Sequence, residues 1–174
     1  MTDPTQQRFD LWNHEAGHAA AMFLFGRPIK EIDVDRPDQW SQGHVVPGER
    51  YQPQMPDNMP DPHGWVDAHL SKSLRESAII SRIGSLVGHQ DWFGAESRAD
   101  RANVLAACPA ALSTDAWEML VQSYAEDLRD EPRFKAVHRA LSFALAENPH
   151  TVMTGQRVVE IATEALAKLT DDEG

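Results

Sequence analysis

Two histidines one helical turn apart, with a glutamate beside the first, form the densest group of chemistry-bearing side chains in the 174-residue chain: His14-Glu15-Ala16-Gly17-His18. In a helix, positions four apart lie on the same face, so both imidazoles reach a single ion between them. Imidazole suits Zn²⁺, and a catalytic zinc takes three protein ligands and a water. Glu15 then projects beside the metal, where it can take a proton from that water. The pattern is HExxH, two ligands and a general base. The bland alternative is three polar residues on a solvated helix face. Gly17 weighs against it. A glycine inside a helix costs about 1 kcal/mol relative to alanine, which a surface helix has no use for and a close approach of substrate or backbone does.

Such a motif needs a half-buried helix beneath it. The stretch 8–26 reads as amphipathic helix, and the helix starts before it, with Asp3 as N-cap, Pro4 at the first helical position and Gln6 completing a capping box, and runs to about Phe25. Phe9, Trp12, Ala16, Ala19, Ala20, Phe23 and Leu24 form the apolar stripe, and Gly26 followed by Pro28 ends it. Residues 29–35 and 43–46 predict a small β-hairpin, either a cover for the core or an edge on which an extended peptide adds a strand. Five prolines between 47 and 62, within a loop spanning 47–63, exclude a regular element and suit a lid over the metal.

The spacing predicts a further helix over 64–87, with Val66, Leu70, Leu74, Ala78, Ile79, Ile83 and Leu86 buried. His63 and His69 near its start are possible ligands, although a histidine outside a motif is more often a surface or satisfied core residue. Glu76 is a stronger candidate for a third ligand, because some zinc peptidases take a glutamate from a later helix. Ser97-Arg98-Ala99-Asp100 precedes an apolar helical pattern and, read locally, is a capping box in which Asp100 bonds back to the Ser97 amide. Helices follow over 114–128, 132–147 and 154–169, the first capped by Ser113 or Thr114 and the second opened by Pro132. Trp117, Leu120, Val121, Tyr124, Leu128, Leu141, Phe143 and Leu145 are their expected core positions, and residues 170–174 make an acidic tail. The expectation is one domain over 1–174, α+β and mostly α-helical, with an HExxH helix, a β-hairpin and a C-terminal helical bundle.

Composition narrows the class. A formal net charge of −11 is a poor match for nucleic acid, whose phosphates need a basic footprint. A single cysteine, Cys108, excludes an internal disulfide and suits a small apolar residue in a reducing compartment. The longest apolar run, residues 19–25, falls far short of the about 20 residues that span a bilayer, and the sequence before it lacks the basic start of a signal peptide. A cytoplasmic protein is expected.

The pentapeptide and its neighbour, His14-Glu15-Ala16-Gly17-His18-Ala19, resemble the signature of the FtsH-type metalloproteases, membrane-bound ATP-dependent zinc peptidases. That family carries a segment F-G-x-x-S-x-x-D opening a helix, whose Asp is the third zinc ligand. Phe93-Gly94-Ala95-Glu96-Ser97-Arg98-Ala99-Asp100 is similar to it and implies Asp100 as third ligand with His14 and His18. Where the family has Gly-x-x-Ala-Glu before this segment, the chain reads Gly84-Ser85-Leu86-Val87-Gly88-His89. The resemblance covers about the first two thirds of the chain. It implies a Zn²⁺ cofactor, Glu15 as catalytic base and hydrolysis of unfolded or flexible protein segments. Neither a phosphate-binding loop nor a membrane span occurs, so the expectation is a peptidase domain without its motor, served if at all by an ATPase or adaptor in trans. The competing expectations are an inactive zinc-binding scaffold or adaptor, against which an intact Glu15 argues, and a regulatory peptidase that uses Glu76.

Overall fold

The structure is a computed structural model that describes residues 4–34, 44–49, 60–94, 97–148 and 151–171. In chain order the elements are α1 (Pro4–Leu24), β1 (Ile29–Asp33), β2 (His44–Pro47), α2 (Pro62–Val87), α3 (Arg98–Ala106), α4 (Thr114–Asp130), α5 (Pro132–Glu147), β3 (Met153–Thr154) and α6 (Gly155–Asp171). This is the expected α+β, mostly helical architecture. The strands form one antiparallel sheet in the order β2-β1-β3. The hairpin of β1 and β2 was expected, whereas β3 was not. Only Glu31 and Ile32 of β1 pair with its two residues, too short a piece to show as alternation in sequence.

Local chemistry sets the helix ends. Gly26 takes a positive φ of 67° and closes α1 with the 6→1 bond from Arg27 N to Met22 O and the bond across three residues from Gly26 N to Phe23 O. The Asp61 carboxylate caps α2 by accepting from Gly64 N at 3.0 Å, with Pro62 opening the first turn. Ser113 Oγ accepts from Ala116 N and caps α4. Only Glu131 separates α4 from Pro132 at the start of α5, so the chain turns sharply there. The proposed cap of α1 at Asp3, most of the proline-rich lid (residues 50–59) and the end of the acidic tail lie outside the described residues.

The interior is organised around α1, whose Ala16, Ala19, Ala20 and Ala21 are completely buried. Small side chains let α2, α5 and the sheet close on this helix from several sides. One apolar cluster joins these residues to Ile32, Ile79, Ile83, Phe134, Val137, Leu141, Leu145 and Val158. A second, smaller cluster joins Ala78, Val104, Ala107, Trp117 and Val121, with partly buried Cys108 against it. Several expected core residues are exposed instead: Phe9, Leu70, Leu74, Leu120 and Phe143. The inward face of α4 runs 117, 121, 125, 128 and that of α5 runs 134, 137, 141, 145, which leaves Leu120 and Phe143 outside the buried arc. Among the described side chains, Leu70 and Leu74 precede Ala78, where burial of α2 begins, and Phe9 precedes His14, where burial of α1 begins.

Candidate metal centre

His14, Glu15 and His18 lie on the buried stretch of α1, each under 10 % exposed. Their surroundings come from α2, which crosses α1 at contact distance because glycines face each other there. A Cβ on Gly17 would strike Val87, one on Gly84 would collide with the His18 imidazole, and one on Gly88 would meet His14 Cβ at 2.8 Å. The stretch from Gly84 to Gly88 is therefore a platform for both imidazoles. On the same helix, the Ile80 carbonyl accepts from His18 Nδ1 at 2.6 Å. This bond orients the ring and turns Nε2 toward His14, whose Nε2 stands 2.9 Å away.

Asp100 enters from the first turn of α3. Its Oδ2 is 3.2 Å from His14 Nε2 and 3.4 Å from His18 Nε2, and Ser85 Oγ on α2 donates to it at 3.3 Å. Glu15 Oε1 lies 4.0 Å from His14 Nε2. Among the described residues, His14, His18 and Asp100 form the group that could hold a metal ion. The local capping-box reading is corrected here. Ser97 precedes α3 as its N-cap but makes no side-chain cap bond, and its fully buried Oγ has no hydrogen-bond partner. The Asp100 carboxylate that a capping box would turn back is turned to the imidazoles.

Glu76 is elsewhere. Its Oε2 accepts from Arg27 Nη2 at 2.8 Å and Nε at 3.1 Å, tying the end of α1 to α2. His69 is not part of the group either, and the side chain of His63 lies outside the described residues. Three features of the site had no reading in sequence: Ser85, the Ile80 carbonyl and the glycines of α2 that meet Gly17 and the histidines. Gly17 itself signalled a close approach, and the spacing of Gly84 and Gly88, one helical turn, was a usable signal for where it comes from.

Charge and burial act together on these groups. Burial alone would push the His18 pKa down, but the Asp100 carboxylate, by charge and hydrogen bond, outweighs it, with Glu15 and the Ile80 carbonyl adding to the rise. The result is about 9. Burial likewise opposes ionisation of Asp100, yet the His18 charge and the two imidazole hydrogen bonds hold its pKa below the usual carboxylate range. No family model matches the chain, and no curated protein does. No helix among the described residues is long and apolar enough to cross a membrane.

A pH dependence follows for the metal-free protein. The folded His18 binds its proton more tightly than the ordinary imidazole value of 6.5, so its contribution to stability is full below pH 6.5 and is lost as pH rises through about 9. Asp100, shifted the other way from 3.8, contributes above that pH and loses its contribution as pH falls below it. Thermal melts in chelator should therefore show stability declining between pH 6.5 and 9. A flat profile there in wild type, or the same decline in His18→Gln, would show that His18 and Asp100 are not paired.

Proposed function

We propose that this chain is a zinc-dependent peptidase, with His14, His18 and Asp100 as metal ligands and Glu15 as general base. One observation carries the reading: two imidazole nitrogens and a carboxylate oxygen stand 2.9, 3.2 and 3.4 Å from one another with a second carboxylate beside them. Zinc with bonds of about 2.0–2.1 Å in tetrahedral geometry keeps its ligand atoms roughly 3.3 Å apart. The donor set fits in kind as well, since three N/O ligands leave a fourth position open, as in catalytic zinc sites. The likeness of His14 to Ala19 and of Phe93 to Asp100 to the FtsH-type pattern supports the same assignment.

Zinc bound there supplies Lewis acidity toward a carbonyl oxygen and a water acidified to a pKa of about 7. The chain's own residues do the rest. Glu15 takes the proton from the attacking water and returns it to the leaving amine. The Ile80 carbonyl holds His18 in the tautomer that presents Nε2, and Ser85 holds the Asp100 carboxylate toward the histidines. The substrate class is peptide bonds in unfolded or flexible segments, because a buried centre admits an extended chain more readily than a folded one. The outer edge of β2, unpaired among the described residues, suits such a segment.

The test is metal content with activity. Protein stripped by chelator and reconstituted should take up about one zinc per chain and cleave unfolded casein, with cleavage abolished by chelator and restored by zinc. Elemental analysis that finds no tightly held transition metal after reconstitution would sink the proposal.

A further inference from the structure

Asp100 is carried by a helix with little hold of its own. The nine residues of α3 bury a single side chain completely, Val104, and Ser97 provides no cap. The C-terminal half is anchored through Val104, whose carbonyl also accepts from Trp117 Nε1 at 2.7 Å. The N-terminal half is held by Glu118 on α4. Its carboxylate accepts from Arg101, the residue next to Asp100, through Nε at 2.7 Å and Nη2 at 3.2 Å. The same carboxylate accepts from Trp92 Nε1, in the segment before α3, at 3.1 Å. Both aromatic residues of that segment are stacked under cations: Arg82 of α2 lies 4.3 Å from the Trp92 ring centroid and Arg101 lies 4.7 Å from that of Phe93.

We infer that Glu118 is a positioning residue for the metal: by gripping Trp92 before α3 and Arg101 within it, the carboxylate sets how far Asp100 reaches toward His14 and His18. This rests on the reading of Asp100 as a ligand. Glu118 touches neither metal ligands nor Glu15 by any bond described above, so its effect passes through the backbone of α3. Partly exposed ion pairs contribute little to folding, which makes the positioning role separable from stability. A planar guanidinium met by two carboxylate oxygens fixes direction as well as distance, which a point contact would not.

The experiment compares wild type, Glu118→Ala and Glu118→Gln by Co²⁺ titration, followed through visible absorption, and by imidazole ¹⁵N resonances of His14 and His18 in metal-free protein. Glu118→Ala is expected to weaken Co²⁺ binding by up to about 10-fold, the low end of the range for removing a group bonded directly to a ligand, because Glu118 acts one step further out, and to move both resonances. Glu118→Gln, which keeps one acceptor oxygen, should fall between. Wild-type affinity and unmoved resonances in Glu118→Ala would overturn the inference. If that variant does not fold, Trp92→Phe keeps a six-membered aromatic ring near Arg82 and removes the indole N–H that Glu118 accepts, together with the smaller ring that carries it. It should shift the same signals less far, and unchanged signals would again overturn the role of Glu118. Should wild type itself take up no Co²⁺ or zinc, the peptidase reading fails, while the metal-free resonances still decide whether Glu118 governs the Asp100 contact.

Discussion

Glu15→Gln is expected to lower cleavage of unfolded casein by about 10²–10⁴-fold, the range for removing a positioned general base, while zinc content stays at the wild-type level. The two halves of this result have different origins. Glutamine matches glutamate in shape and can fill a site only 3 % exposed, so the helix and both histidines stay in place. It has no carboxylate to receive a proton. With Oε1 4.0 Å from His14 Nε2, Glu15 stands beside the ligand group without belonging to it, which is why metal should survive the change. Wild-type activity in the purified variant would mean a contaminant or another mechanism. Zinc binding without hydrolysis in wild type itself would favour the scaffold reading.

Asp100→Asn should have the opposite signature: metal and activity lost together. The amide keeps the size of the side chain but not its charge, and the imidazoles then lack the anion that completes the group. Because losing an outer partner alone weakens metal binding by about 10–100-fold, losing a ligand should weaken it more. Ser97→Ala is the control. The Ser97 hydroxyl makes no cap bond and has no partner, so its removal should leave zinc affinity and melting temperature near wild type. Zinc retained in Asp100→Asn would make Asp100 structural and remove the third ligand from the proposal.

What sequence reading captured was local. The HExxH helix, its end at Gly26, the start of α5 at Pro132 and the hairpin all follow from short-range pattern, and each appears within a few residues of its expected place. The proposed third donor was not local. Ser97-x-x-Asp100 fits a capping box and a ligand-bearing helix equally well, and resemblance alone favoured the ligand. In the fold, α2 brings Ser85 to Asp100, and the Ser97 hydroxyl is unpaired. Glu76, the rival candidate, pairs with Arg27 just after α1, a contact that no spacing reveals. Exposure of Leu120 and Phe143 shows the same limit, since periodicity marks an apolar arc without saying how much of it a neighbour covers.

The two apolar clusters share a wall. α2 gives Ile79 and Ile83 to the cluster around α1 and Ala78 to the one around α3 and α4. His14 and His18 belong to the first side, whereas Asp100 rides on α3, whose buried Val104 belongs to the second. An ion held by all three would be a cross-link between the two clusters. Hydrogen exchange should then show α3 and the start of α4 opening as a sub-global unit in chelated protein, at lower free energy than α1 and α5. With metal bound, that opening would have to release a ligand, and exchange of α3 should slow toward the rate of global unfolding. Equal exchange of α3 with and without metal would mean that the site does not couple the two clusters. If coupling is found, metal supply would govern how long this region stays closed to proteolysis as well as whether the centre is active.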